Sequence, residues 1–225
     1  MTNRWFLASV ALFVAVSAAT WHVWANRETL LPEQVPVHWG PSGDADAWVP
    51  RERMTPWLLL MPASILGMLL LGRALPFLSP GQFAIDGFRD TYEQILFIVA
   101  LLFGYIGVLL LVAQMGWVGD KEMVRWLAGG MLLLFAGMGN LMGKVRRNLY
   151  MGVKTPWTLA SDMVWDRTHR VAAWLMVGGS LAGLLLLLTP LSPMWAIGVA
   201  VAGMLYPIPY SWWLYRRLEA EGKLE

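Results

Sequence analysis

Six stretches of this chain are long and apolar enough to cross a lipid bilayer, and no other feature limits the fold as strongly. A spanning helix needs roughly 20 consecutive, largely apolar residues. Such stretches run from about Trp5 to Trp24, Trp57 to Leu71 (extendable to Leu78), Ile95 to Val112, Met123 to Met142, Val171 to Leu188, and Met194 to Leu214. The second is the weakest, because it contains Pro62 and Arg73; Arg73 near its end is expected to snorkel. With no water in the hydrocarbon layer, the backbone must satisfy its own hydrogen bonds, so the spans are helical. The expected fold is all-α: a polytopic membrane protein of six transmembrane helices, with an ordered extracytoplasmic loop between the first two.

Composition supports the same class. Of 225 residues, 57% are hydrophobic and 14% charged, against roughly a quarter charged in soluble domains. No polar region is large enough for a separate soluble enzyme. The net charge of +2 gives no general basic field, so direct nucleic-acid binding is not expected. Cysteine is absent, which excludes disulfides and thiol chemistry. His22, His38 and His169 are too scattered for a local metal motif. No cofactor is expected.

Tryptophans gather near the span ends (Trp5, Trp21, Trp24, Trp57, Trp117, Trp126, Trp195, Trp212, Trp213), where an amphipathic ring suits the headgroup region. Arg4 and Ser17-Ala18-Ala19 give the first span some signal-peptide character. Its apolar run continues to Trp24, however, and retention as a span is expected. Lysine and arginine are concentrated on the side that carries both termini: Arg4, then Arg73 and Arg89, then the cluster from Lys144 to Arg170, then Arg216, Arg217 and Lys223. The other side holds Arg27, Arg51, Arg53, Lys121 and Arg125. The positive-inside bias therefore predicts cytoplasmic termini in a bacterial inner membrane. Gly139-x-x-x-Gly143 and Gly179-x-x-x-Gly183 have helix-packing spacing.

Two polar segments are richer than connectors need to be. In the outer loop, Val35 to Trp39 alternates like a short extended segment, and Pro36 confines it to an edge or an irregular path. Ser42-Gly43-Asp44 is turn chemistry. Trp39 and Trp48 give the loop something to bury. His38, Trp39, Asp44, Asp46 and Trp48 are candidates for recognising a peptide, the aromatics gripping apolar groups and the acids selecting cationic ones. In the inner loop, from Lys144 to Arg170, Thr155 is a good N-cap with Pro156 at the first helical position. Ser161 is a second N-cap, from which a helix runs into the fifth span. Trp165 and His169 share a face, and Asp166 and Arg170 are spaced as an i,i+4 pair. The basic residues are placed to meet anionic lipid headgroups.

Val35-Pro36-Val37-His38-Trp39, followed by Gly43-Asp44-Ala45-Asp46-Ala47-Trp48, resembles the DUF1648 module. The stretch from Arg147 to Ser161, continuing through Trp165 to Arg170, is similar to the signature of the SdpI family, as is Tyr206-Pro207-Ile208-Pro209-Tyr210-Ser211. Lys154 stands where the family pattern usually has arginine. The resemblance divides the chain into a DUF1648-like region, 1–78, and an SdpI-like region, 79–225. It implies bacterial immunity to a secreted peptide toxin met on the outer face. It also implies signalling, by holding an ArsR-type repressor at the membrane, and no enzymatic role. Arg147, Asn148, Gly152, Lys154, Thr155, Pro156, Trp157, Thr158, Trp165, Thr168 and His169 are the cytoplasmic signature candidates. The alternative reading is a transporter or exporter of a small molecule or peptide; the span centres lack Asp and Glu, which lowers ion-coupled transport. Asp162, Asp166, Thr168 and His169 have no nucleophile motif or phosphate loop beside them, which argues against an enzyme.

Overall fold

The computed structural model describes residues 4–40 and 42–224, and of residues 120 and 121 the backbone alone. Pro41 of the outer motif and the Lys121 side chain, counted above among the outer charges, lie outside the described residues. Among the described residues, six helical segments are long and apolar enough to cross a membrane, ending within a few residues of the expected spans except where noted below. At most 33% of the residues in any of these apolar windows are buried. The remaining apolar surface, with Leu133, Leu181 and Leu185 among the exposed side chains, suits lipid as its solvent.

The helices are α1 (Arg4–Ala25), a single turn α2 (Arg27–Leu30), α3 (Thr55–Leu78), α4 (Arg89–Gln114), α5 (Asp120–Met142), a short α6 (Pro156–Ala160), α7 (Asp162–Leu187), α8 (Pro193–Leu205) and α9 (Pro207–Ala220). Between α2 and α3 lie two strands, β1 (Gln34–Trp39) and β2 (Ala45–Pro50), paired antiparallel. The chain forms two compact units, Met1–Leu71 with Leu96–Met131, and Gly72–Ile95 with Leu132–Glu225. Helices α3, α4 and α5 each contribute to both.

In the first unit, small residues let helices close up. Gly104 leaves room for Leu12, and Gly107 for Met61, each within 3.0 Å of where a Cβ would sit. Gly130 makes space for the ring of Tyr105, whose hydroxyl donates to the Trp126 carbonyl. Val16, Ile65 and Ala100 form one apolar cluster. Val23, Leu31, Val35, Met54, Leu58 and Leu111 form a second, joining α1, the hairpin base, α3 and α4.

In the second unit, α7 and α8 approach each other closely at glycines. At Gly183 an added Cβ would stand 2.8 Å from the Ala196 carbonyl oxygen, and at Gly203 the same distance from that of Leu175. Gly139 is equally tight, against Met176 at 2.8 Å, whereas Gly143 meets nothing within 4 Å. Of the two glycine pairs in the sequence, Gly179-x-x-x-Gly183 therefore packs at both positions and the other at one. Ser192 caps α8 by accepting from the Met194 N–H, with Pro193 at the first position. The sixth span is two helices joined at Tyr206, which keeps helical dihedrals. Pro207 and Pro209 supply no N–H there, so carbonyls of the preceding turn lose their donors.

The second span takes its longer expected form, a full helix to Leu78 despite Pro62. Two local expectations change. Arg73 does not merely snorkel: its Nη1 lies 3.4 Å from Oε1 of Glu93, a carboxylate only 6% exposed. Asp166 pairs with Arg146 at 3.7 Å, and among the described residues the expected Asp166–Arg170 pair does not form.

Candidate functional site

The outer segment folds as a hairpin on a buried base. Strand β1 is extended as expected; its partner β2 was not foreseen. Val35 is fully buried in the cluster of Val23, Leu31, Met54, Leu58 and Leu111. The alternation then places its neighbours outward. The register shifts on either side of His38; Pro36, two residues before it, has no N–H to give the ladder. At the tip, the Gly40 N–H donates to the Asp44 carbonyl at 3.0 Å, and Gly43 adopts φ +93°, a conformation natural to glycine.

The five hairpin candidates divide. Trp39 turns inward against Leu109, Ala113 and Met123. His38 and Asp46 meet on the surface, Nδ1 to Oδ1 at 2.5 Å, with both side chains more than half exposed. Asp44 is exposed, and Trp48 is 53% exposed. The hairpin base is held by a residue the sequence did not single out. Arg51 donates through Nη1 to the carbonyls of Glu28 and Leu31, both at 3.1 Å, and pairs through Nη2 with Glu28 at 2.9 Å.

The inner segment is a hydrogen-bonded frame. Asn148 has no exposed surface. Its Nδ2 donates to the carbonyls of Arg146 and Met151 at 2.8 and 3.1 Å, and its Oδ1 accepts from the N–H groups of Tyr150 and Met151 at 2.7 and 2.8 Å. Both donors and both acceptor sites are used, which fixes the turn. Thr155 and Thr158 form the capping box of α6: the Thr158 N–H donates to Thr155 Oγ1 at 3.2 Å, and the Thr155 N–H to Thr158 Oγ1 at 2.9 Å. Pro156 occupies the first turn. Thr158 Oγ1 also donates to the Val153 carbonyl at 2.8 Å. Thr155 Oγ1 reaches Ser211 Oγ on α9 at 3.0 Å.

His169 and Trp165 lock the other side. Their rings stack 4.0 Å apart at 20°. The Val153 N–H donates to His169 Nε2 at 2.9 Å. Nε2 is therefore an acceptor, and the proton sits on Nδ1, which donates to the Trp165 carbonyl at 2.8 Å. Trp165 Nε1 donates to the Val145 carbonyl at 2.7 Å. Gly152, at φ +105°, passes directly over this imidazole; an added Cβ would overlap Nε2. Thr168 is also fully buried. Trp157 packs apart from this pair, against Val164, Leu214 and Leu218. Arg147 donates to the Leu159 carbonyl at 2.8 Å and pairs with Asp162 at 2.7 Å. Lys154 closes the loop through the carbonyls of Leu149 and Tyr150, at 3.2 and 3.1 Å. Ser161, besides capping α7, donates to the Leu224 carbonyl at 2.8 Å. The structure thus brings most of the signature candidates of this segment into one frame, and only Lys154 and Pro156 among them are exposed.

Fold and loops together define a multi-pass membrane protein whose two long polar connections are themselves folded. Comparison with known proteins finds similarity in both connections. Residues 144–211 match the SdpI/YfhL protein family and residues 11–66 match DUF1648, a domain of unknown function. The chain is 26% identical over 147 residues to the immunity protein SdpI of Bacillus subtilis (strain 168), an alignment that covers 65% of this chain and 66% of that protein, just short of two thirds of its length. No solved structure matches.

Proposed function

We propose that this chain is a bacterial inner-membrane immunity protein that protects its cell from a secreted, membrane-active peptide. The observation that carries the reading is the hairpin. A connector between two spans has no need of a buried base, an arginine clasp and a glycine turn; a recognition surface needs all three, because presenting side chains rigidly lowers the cost of binding. Between Leu31 and Pro50 the only charged residues besides His38 are the acids Glu33, Asp44 and Asp46. That surface suits a cationic peptide, with Trp48 available for apolar contact. The name of the Bacillus subtilis relative supports protection as the role. In this reading both termini are cytoplasmic, region 1–78 meets the toxin, and region 79–225 supplies the inner frame.

The test is a co-culture. Cells from which the gene has been removed are grown beside the parent strain, and survivors of each are counted. Loss of the deleted cells, reversed by restoring the gene, is the expected result. Equal persistence would overturn the proposal.

One observation favours a second role in signalling. The inner frame is rigid, yet Lys144, Arg146, Arg167 and Arg170 stand exposed around it. They offer an acidic face of an ArsR-type repressor a fixed basic platform. Arg167→Glu with Arg170→Glu should release such a repressor from the membrane fraction; unchanged co-fractionation would end this reading.

A further inference from the structure

Within the second unit, beside the inner frame, lies an open cleft of about 380 Å³. The connection after α3 lines it with Gly81, Gln82 and Ala84, the turn after α5 with Arg146 and Arg147, and α7 with Asp162 and Asp166. The two acids are four residues apart and share a face of the helix. The two arginines differ. Arg147 is held, by the Leu159 carbonyl at 2.8 Å and by Asp162 Oδ1 at 2.7 Å. Arg146 is not: it approaches Asp166 at 3.7 Å, longer than a hydrogen bond. The side chains of Arg146 and Asp166 are 68% and 53% exposed, and an exposed pair of this kind holds weakly. Asp162 and Gln82 are exposed as well. The cleft therefore offers a guanidinium fork and two carboxylates, all reachable from outside. Its depth suits a headgroup. The apolar run of α7 begins at Val171, so Asp166 stands about 7 Å beyond it at about 1.5 Å per residue, within the polar layer that flanks the hydrocarbon.

We infer that this cleft binds a phosphate and a primary ammonium held two carbons apart, the headgroup of phosphatidylethanolamine. The Arg146 fork takes two phosphate oxygens in parallel charge-assisted bonds. The ammonium has three donors; it gives them to Asp166 and to the Asp162 oxygen that Arg147 leaves free. Opening the loose Arg146–Asp166 pair costs little, and each partner gains a closer one. An anionic headgroup such as phosphatidylglycerol satisfies Arg146 but leaves the carboxylates facing a negative charge. Phosphatidylcholine brings a cation without an N–H to donate. The acyl chains lie along the exposed apolar surface of the spans. Free phosphoethanolamine carries the same two groups without those chains. The inference concerns the connection opposite the hairpin and does not depend on what the hairpin recognises.

The full chain in detergent micelles is titrated with phosphatidylethanolamine, phosphatidylglycerol and phosphatidylcholine of identical acyl chains, and the lipid-bound fraction is read by native mass spectrometry. The expected result is saturable binding of one phosphatidylethanolamine, about tenfold tighter than either other lipid. Two variants separate the halves of the site. Arg146→Gln should weaken phosphatidylethanolamine and phosphatidylglycerol alike, about tenfold. Asp166→Asn should weaken phosphatidylethanolamine by a similar factor but leave phosphatidylglycerol as tight as in the parent or tighter. Both side chains are exposed, and a parent-like unfolding midpoint establishes that the variants are folded. Equal or tighter binding of phosphatidylglycerol or phosphatidylcholine by the parent would overturn the proposal. So would parent-like preference in both variants, which would place the lipid elsewhere. Free phosphoethanolamine should compete only weakly; competition as tight as the lipid's own binding would assign the cleft to a soluble ligand and overturn the lipid.

Discussion

The frame around His169 makes a sharp prediction at Gly152. Alanine there has two costs. At φ +105° an L-residue is strained by about 1–2 kcal/mol. Its Cβ also overlaps His169 Nε2. The imidazole cannot swing aside freely, since it is stacked on Trp165 and hydrogen-bonded at both nitrogens. Displacing it leaves the Val153 N–H unmet, at about 1–3 kcal/mol, and disturbs stacking of about 0.5–1.5 kcal/mol. The expected destabilisation is the sum, about 2.5–6.5 kcal/mol. The assay is denaturant unfolding in mixed micelles, followed by tryptophan fluorescence, on Gly152→Ala, His169→Ala and the double variant. His169→Ala has already lost the Val153 bond and the stack, so in its background Gly152→Ala should cost only the strain term. The double variant should be more stable than the sum of singles by about 1.5–4.5 kcal/mol, the sum of the bond and stacking terms. Additivity within about 0.5 kcal/mol would refute the claim that Gly152 is small because His169 lies beneath it.

Trp165→Phe keeps most of the ring stack but strips the Val145 carbonyl of its donor, and the same assay should read a loss of about 1–3 kcal/mol. Gly183→Val drives a side chain into the Ala196 carbonyl and Leu132; about 1–3 kcal/mol of overpacking should lower the thermal midpoint in detergent, while Gly143→Val, where nothing lies within 4 Å, should leave it unchanged. The absence of cysteine makes topology directly readable: Ser42→Cys should react with a membrane-impermeant maleimide in intact cells, and Ala160→Cys only after permeabilisation. The reverse pattern would invert the assigned orientation.

Much of this fold was legible because lipid simplifies the problem. Six apolar runs have one stable solution, and their bounds differ mainly where polar residues extend a helix beyond the apolar run, as from Asp162 into α7 and from Arg89 into α4. The Thr155 and Ser161 caps were legible for the same local reason: a side-chain oxygen serves N–H groups two or three residues on. Partners distant in sequence were not legible. Nothing near Arg51 points to Glu28, nothing near Arg73 to Glu93, and Trp39 and Trp48 look alike in sequence although one packs inward and the other is exposed.

The central claim is that the hairpin surface, not its buried base, confers protection. In the co-culture, the deleted strain is complemented with the Trp48→Ala/Asp46→Asn variant at a membrane level equal to the parent protein. Both side chains are more than half exposed, so stability should change by less than about 0.5 kcal/mol. The account predicts that these cells are lost as the deleted cells are. Survival equal to that of parent-complemented cells would contradict it.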